Sequence, residues 1–270
     1  MGWASYREDI ISRYVGAVNL KSTTIQKSIA SGTPAGKPVL PPVPLRKDPV
    51  MVKLKDFPIS TPKPLPVILL VDVSGSMTAD GKIDALNTAV AEMIASFAQD
   101  VTDQAQIQVA VITFGSEAKL HKPLTPATDF EWQPMTAEGR TAMGAAFDLA
   151  TGLIEDQHQL PARAYRPAIV LVSDGVPTDA WRPALDRLLA SERAKKAERF
   201  ALGIGAGADR AMLKAFLANP AARVFEADES RQIKNFFRWI ELTVTLRSRS
   251  ALPNQSIEID PADIENYDDF

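Results

Sequence analysis

A short segment around position 72 carries the residue types of a cation site. Asp72 directly follows an uninterrupted apolar run, and two hydroxyl residues, Ser74 and Ser76, come after it at alternate positions. Carboxylate and hydroxyl oxygens are hard ligands that select hard cations, Mg²⁺ first, with Ca²⁺ or Mn²⁺ as alternatives. Gly75, between the two serines, lets the backbone fold tightly around a small ion. The segment therefore predicts a divalent cation site.

The element that carries this segment is predicted to be a buried strand. Residues 67–71 show no polar alternation, which is typical of a strand covered on both faces in a parallel sheet. In open α/β sheets, ligands bind at the carboxyl ends of the strands, where loops spread apart and helix N-termini point their N–H groups at the crevice. We therefore expect Asp72 at the ligand-binding edge of such a sheet.

Strands and helices alternate along most of the chain, which predicts an α/β fold: a doubly wound, mainly parallel central sheet flanked by helices. A shorter and more polar segment, 117–125, is predicted to be an antiparallel edge strand paired with 107–114. The other predicted strands are 67–71, 168–172, 200–204 and 224–225, and the predicted helices are 83–97, 141–153, 180–193, 210–217 and 231–244.

The two ends of the chain differ in composition from the middle. We predict a helical segment over 1–32, a proline-rich basic linker or arm over 33–65, an α/β domain over 66–247 and an acidic tail over 248–270, of which we expect residues 253–270 to be mobile. Ten of the twenty prolines fall between Pro34 and Pro66, where they favour extended conformations. Residues 1–65 hold ten Lys or Arg against four Asp or Glu, whereas 246–270 hold two against six.

The segment Asp72-Val-Ser74-Gly-Ser76 resembles the Asp-x-Ser-x-Ser motif of the metal-ion-dependent adhesion site (MIDAS) of von Willebrand factor A (VWA) domains. Thr141, ahead of a predicted helix, and Asp174, after a buried strand, match the other two elements of that site. The resemblance implies that Ser74 and Ser76 bind the metal directly and that Thr141 binds directly or through water. Asp72 and Asp174 would bind the metal directly or through bound water, and their negative charges would balance the charge of the metal.

This resemblance covers roughly residues 66–245 and implies a protein-binding function. Two further segments, 173–181 and 235–240, look like those of the bacterial TerY-like proteins associated with tellurium resistance. Such proteins resemble adaptors of stress or defence signalling, which implies a Ser/Thr protein kinase and a PP2C-type phosphatase as partners. We therefore predict a metal-dependent adaptor whose cation binds an Asp or Glu of a partner protein.

Large side chains on predicted loops suggest a partner-binding rim around the metal. Met77, Trp132, Met135 and Trp181 lie on loops at the same sheet edge, where apolar side chains would form an interface hot spot. Each tryptophan could instead cap the core of the domain. Arg140, beside Thr141, either grips a partner carboxylate through two hydrogen bonds or points to solvent.

Enzyme classes find little support in the sequence, so we predict no catalytic residues. A haloacid-dehalogenase-type phosphatase needs a second acid where Ser74 stands, and a serine hydrolase needs a base, for which only His121 and His158 are available. The glycines at 203, 205 and 207 have the wrong spacing for a dinucleotide loop. Two alternative functions remain: a regulatory subunit of an AAA+ ATPase and, from another class, a metal-dependent phosphohydrolase.

Composition limits the remaining classes. The chain has 270 residues, no cysteine and a net charge of −3, which argues against disulfide frameworks, thiolate metal sites and broad nucleic-acid binding. No apolar run reaches the roughly 20 residues that span a bilayer, and no secretion signal is evident, so we expect a cytoplasmic protein without membrane contact. The acidic residues Asp260, Asp263, Glu265, Asp268 and Asp269 could occupy the metal site in cis, or the tail could dock on the amino-terminal arm.

Overall fold

The computed structural model of the protein describes residues 2–15, 61–257 and 259–265. Most of the predicted proline-rich arm, residues 33–60, therefore lies outside the described residues. The strands are β1 Lys63–Asp72, β2 Ala105–Phe114, β3 Ala118–Pro126, β4 Ala168–Ser173, β5 Glu198–Ile204 and β6 Val224–Ala227. The helices are α1 over residues 3–15, α2 Lys82–Gln99, α3 Met143–Glu155, α4 Trp181–Ala190, α5 Arg210–Leu217, α6 Ser230–Arg249 and α7 Ala262–Glu265.

The six strands form one sheet in the order β3-β2-β1-β4-β5-β6. All neighbouring pairs are parallel except β2 and β3, which are antiparallel. The predicted fold class is thus confirmed, including the antiparallel edge strand. The register pairs Asp72 with Phe114 and Val71 with Val172, so β1, β2 and β4 end at the same edge of the sheet.

Side chains of β1 alternate between two apolar cores, one on each face of the sheet. Leu65, Val67, Leu69 and Val71 pack on the face covered by α1, α2 and α6. Ile68 and Leu70 pack on the face covered by α3, α4 and α5. The continuous apolar run in the sequence follows from this double coverage, because every position of the strand after Lys63 is buried.

Helix α1 is fixed to α6 by buried and half-buried polar contacts. The Arg7 Nε lies 2.5 Å from Glu241 Oε1, and both side chains are less than a tenth exposed. The Glu241 carboxylate also accepts hydrogen bonds from Trp3 Nε1, at 3.2 Å, and from the Ser96 hydroxyl of α2. At the far end of α6, Arg249 contacts Glu8 at 2.9 Å. These contacts join α1 to the face formed by α2 and α6.

The acidic tail packs on the same face. Trp239 Nε1 donates to the carbonyl oxygen of Ile259 at 3.2 Å, and the Tyr14 hydroxyl donates to Asp263 Oδ2 at 2.9 Å. The Tyr6 hydroxyl donates to the carbonyl oxygen of Asp263 at 2.9 Å. The expectation that residues 253–270 are mobile is therefore wrong for residues 253–257 and 259–264, because this segment is anchored on α1 and α6.

This packing also corrects the hypothesis that the tail closes the metal site, as far as it concerns Asp260 and Asp263. The side chain of Asp263 accepts from Tyr14, and Asp260 Oδ1 accepts from the backbone N–H of Ala262 at 3.0 Å. Neither carboxylate contacts the residues predicted to hold the metal. The side chain of Glu265 and residues 266–270 lie outside what the structure describes. In the described ranges, none of the helices combines the length and the apolar composition that crossing a bilayer requires.

Candidate metal centre

The carboxylate of Asp72 forms the buried base of the candidate centre. Asp72 is the last residue of β1 and has no solvent exposure. Its Oδ1 accepts the backbone N–H of Ser74 at 2.8 Å, and its Oδ2 accepts the hydroxyl of Ser173, at the end of the adjacent strand β4, at 2.6 Å. Because both carboxylate oxygens are held from different segments, the side chain has a fixed direction at the sheet edge.

Two hydroxyls and a second carboxylate lie in direct contact above this base. Ser74 Oγ and Ser76 Oγ are 3.0 Å apart, and Ser76 Oγ donates to Asp174 Oδ1 at 2.7 Å. Ser76 is exposed, whereas Ser74 and Asp174 are buried. An octahedral Mg²⁺ with metal–oxygen distances of about 2.1 Å separates neighbouring ligand oxygens by about 3 Å. The spacing of these three oxygens therefore fits adjacent positions around a small hard cation.

A third loop, 138–142, brings Thr141 to the same place. Its backbone is tied to the first loop by hydrogen bonds from Gly75 N to the Gly139 carbonyl, at 3.0 Å, and from Glu138 N to the Val73 carbonyl, at 2.7 Å. Thr141 is buried, and its Oγ1 lies 3.8 Å from the position that a Cβ at residue 175 would take. Ser76 Oγ lies 4.0 Å from that same position. The structure thus brings all five predicted metal residues together from three loops.

Gly139 is the residue that allows this loop to approach so closely. Its φ is +83°, and a Cβ there would lie 2.2 Å from Ser116 Oγ and 2.9 Å from the Ser116 backbone nitrogen. Both the left-handed backbone and the close neighbour exclude a side chain at this position. The absence of a side chain at Gly139 is therefore a condition for the loop that presents Thr141.

A lysine side chain that the sequence analysis missed also reaches the centre. Lys82, the first residue of α2, places its Nζ 2.8 Å from Asp174 Oδ2. The Asp174 side chain is fully buried and that of Lys82 is 20% exposed. The sequence did contain a signal. A lysine charge at a helix N-terminus is unfavourable because it opposes the helix dipole, so Lys82 at the start of α2 indicates that an anion lies nearby.

Electrostatics at the base favour a positively charged ligand. Burial raises the pKa of the Asp72 carboxyl, hydrogen bonds from Ser173 and Ser74 lower it, and the nearby Asp174 charge raises it further. A cation beside a carboxylate stabilises the ionised form. In the described part of the chain, no three His, Cys, Asp or Glu side chains cluster as in a conventional metal site. A cation at this centre would therefore depend on hydroxyl oxygens as ligands.

Comparison with known proteins agrees with this geometry. A family model described as the von Willebrand factor type A domain matches residues 67–239, more than half of the chain. This chain belongs to the VWA family. Domains of this family are generally non-catalytic protein-interaction modules. No match was found among curated proteins.

Solved structures share the fold of this VWA domain at low sequence identity. A von Willebrand factor type A protein from Catenulispora acidiphila is 17% identical over 67% of this chain, with a TM-score of 0.52. The pilus adhesin SpaC from Lactobacillus rhamnosus GG is 17% identical over 68%, with a TM-score of 0.54. Proximal thread matrix protein 1 from the mussel byssus, solved with a zinc-occupied MIDAS motif, is 17% identical over 68%, with a TM-score of 0.52. The matches cover 42%, 30% and 46% of those chains, less than half of each.

The VWA domain holds the loop after Asp174 in place through a carboxylate that the sequence analysis did not single out. Asp179 accepts the backbone N–H groups of Gly144, at 2.9 Å, and Ala145, at 3.0 Å. These N–H groups belong to the first turn of α3, where unpaired donors and the helix dipole favour an anion. Asp179 thus links the loop of Asp174 to the helix that follows Thr141.

The predicted partner-binding rim of the VWA domain is only partly exposed. Met77 has no solvent exposure and Met135 only 3%, and both pack in the core beneath α2 and α6, so their assignment to the rim is wrong. Met77 turns inward because the segment Gly75–Gly81 folds over the sheet end. This segment forms 3-10 turns that are interrupted by non-helical backbone at Ala79 and Asp80. Trp132 and Trp181 are half-buried against the two cores, and Arg140 is exposed.

Proposed function

We propose that this VWA domain holds a divalent cation between Asp72, Ser74, Ser76, Thr141 and Asp174 and binds a partner protein through the cation. The observation that carries the proposal is the contact of the two serine hydroxyls with each other, at 3.0 Å, and with Asp174 Oδ1, at 2.7 Å. This donor set of hydroxyls and carboxylates is the type that hard cations take.

The ligand set also indicates what the partner contributes. Three of the five proposed ligands are neutral hydroxyls, so the bound cation would keep part of its positive charge. A cation with a free coordination position and uncompensated charge binds an anionic oxygen, and Asp and Glu are the side chains that supply one. Mg²⁺ is the ion we favour, with Ca²⁺ or Mn²⁺ as alternatives. The zinc-occupied MIDAS of the mussel byssus protein supports a divalent ion in general.

We further propose that the protein is a cytoplasmic, non-enzymatic adaptor of a bacterial stress or defence signalling module. This finer proposal rests on the resemblance of segments 173–181 and 235–240 to TerY-like proteins. Segment 173–181 contains Ser173, Asp174 and Asp179, whose side chains organise the candidate centre. A Ser/Thr kinase and a PP2C-type phosphatase are the partners that the resemblance implies.

Two measurements, made one after the other, test first the metal site and then the partner. Calorimetric titration with Mg²⁺ or Mn²⁺ should show binding to the wild type that weakens by at least about tenfold in Ser76→Ala, the loss that even outer-sphere changes produce at metal sites. Ser76 is exposed, so this variant should keep its fold. An unchanged affinity in Ser76→Ala would contradict the assignment of the site.

Copurification with wild type and Ser76→Ala, with and without chelator, then tests the partner. A kinase or phosphatase that is lost in the variant and in chelator supports the signalling adaptor. Loss of an AAA+ ATPase instead favours the regulatory-subunit alternative. Hydrolysis of phosphoester substrates by the wild type with Mg²⁺ or Mn²⁺, abolished in Asp72→Asn, would overturn the adaptor function.

A further inference from the structure

The two carboxylate oxygens of Asp174 face different groups. Oδ1 accepts the hydroxyl of Ser76 at 2.7 Å, within the hydroxyl cluster, whereas Oδ2 contacts Lys82 Nζ at 2.8 Å. The ammonium therefore uses the oxygen that the hydroxyl cluster leaves free. A cation bound among the hydroxyls and the Lys82 ammonium can consequently be present at the same time.

The backbone before Lys82 is shaped to deliver this side chain. Asp80 and Gly81 both have positive φ, 54° and 66°, directly before α2 begins. Aspartate and glycine both tolerate this left-handed backbone, whereas a lysine charge at the N-terminus of a helix is unfavourable. The contact with the fully buried Asp174 carboxylate offsets the unfavourable position of the Lys82 charge at the helix N-terminus.

Building on the proposed function, we propose that Lys82 sets the charge of the metal site so that the cation and a partner carboxylate bind best together. Asp72 and Asp174 bring two negative charges, and Lys82 brings one positive charge. With a divalent cation the site carries one excess positive charge, which a carboxylate neutralises. Without Lys82, the cation alone would neutralise the site. Lys82 therefore lowers the affinity for the free cation and raises the affinity of the loaded site for a carboxylate.

The competing explanation is that Lys82 only positions Asp174 through a hydrogen bond. Three variants of the full chain separate charge from positioning. Lys82→Gln keeps a hydrogen-bond donor without the charge, Lys82→Met removes both, and Lys82→Arg keeps both. Mn²⁺ binding is followed by the electron paramagnetic resonance signal of the free ion, and thermal melts confirm folding.

We expect Lys82→Gln and Lys82→Met to bind Mn²⁺ about tenfold more tightly than the wild type, because loss of one nearby positive charge strengthens attraction for the cation. Lys82→Arg should bind as the wild type does. In the Mn²⁺-saturated proteins, acetate should displace bound water, seen as a fall in water-proton relaxation, at several-fold higher concentration in Lys82→Gln than in the wild type.

If Lys82→Gln binds Mn²⁺ and acetate as the wild type does, or if Lys82→Met binds Mn²⁺ more weakly, the charge-setting role is wrong and Lys82 acts by position. This result leaves the proposed function intact when Ser76→Ala still loses Mn²⁺ binding. If neither the wild type nor any Lys82 variant binds Mn²⁺, both the proposed function and this inference fail.

Discussion

Replacement of Gly139 by alanine should damage the metal site while leaving the fold in place. The new Cβ would lie 2.2 Å from Ser116 Oγ, which can rotate away, but also 2.9 Å from the Ser116 backbone nitrogen, which can move only with its strand connection. The φ of +83° adds the cost of a left-handed alanine, about 1–2 kcal/mol. Overpacking against a backbone atom typically adds about 1–3 kcal/mol. We therefore expect a loss of about 2–5 kcal/mol in the free energy of unfolding.

The functional effect follows from where this strain is relieved. Movement of residue 139 away from Ser116 pulls its carbonyl oxygen from the Gly75 N–H, which it now accepts at 3.0 Å. The turn that carries Ser74 and Ser76 then loses its tie to the loop of Thr141. Gly139→Ala should thus bind Mn²⁺ more weakly than the wild type in a calorimetric titration, even at temperatures where the variant is fully folded.

Gly152→Ala is a matched control in the same domain. Gly152 is an exposed residue within α3, and a Cβ there meets no atom within 4 Å. In a helix interior, alanine is more stable than glycine by about 0.5–1 kcal/mol, so this variant should be slightly stabilised in urea denaturation and should bind Mn²⁺ normally. If Gly139→Ala has the stability and the Mn²⁺ affinity of the wild type, the argument that this glycine holds the site together is refuted.

Three further predictions concern the elements around the site. Asp179→Ala removes the acceptor at the N-terminus of α3 and should cost about 1–2 kcal/mol in urea denaturation, whereas Asp179→Asn, which keeps one acceptor oxygen, should cost less. Arg7→Met leaves the Glu241 charge buried without its partner and should cost about 3–5 kcal/mol; the double variant with Glu241→Met should recover most of this, and equal losses in both would contradict the ion pair. The hydrogen bond from Arg249 lowers the pKa of Glu8 from its ordinary value of 4.5, so the folded state binds fewer protons than the unfolded one. This stabilisation is present above about pH 4.5 and is lost as the pH falls, so the protection factors of the α1 amides, which are corrected for the intrinsic exchange rate, should fall on acidification less in Glu8→Gln than in the wild type.

Most of the sheet could be predicted because its signals are local. The apolar runs that predicted strands at 67–71, 107–114 and 168–172 lie within β1, β2 and β4, and the polar segment at 117–125 became β3. Helix α6 was predicted to end at residue 244 but continues to Arg249. Its last turn is polar in sequence, and only the fold supplies the partners that stabilise it: Arg249 contacts Glu8 and Asp100.

The residues alone predicted the site where side chains follow strands, whereas Thr141, which precedes a helix, was predicted from the resemblance to VWA domains. Asp72 is the last residue of β1 and Asp174 directly follows β4. Because β1 and β4 pair in parallel, the two carboxylates come together at the same edge of the sheet. The position of Lys82 at a helix N-terminus indicated a nearby anion but not which one, and Asp179 was missed because its role depends on a turn whose geometry the sequence does not reveal. Met77 was misplaced for the same reason: its position after Ser76 suggested a loop side chain, but the 3-10 turn directs it into the core.

The attachment of α1 to α6 has a consequence for the order in which the molecule can be completed. The hydrogen bonds from Trp3 and Arg7 to α6 join residues 238 positions apart. During synthesis, α1 leaves the ribosome long before α6 exists, whereas every residue of the candidate metal centre has been made by position 179. Until α6 emerges, the core around the apolar side of α1, with Ile10 and Ile11, lacks the side chains that α6 contributes. A nascent chain without α6 therefore leaves part of the apolar side of α1 exposed, and α1 can dock fully only after α6 has been made.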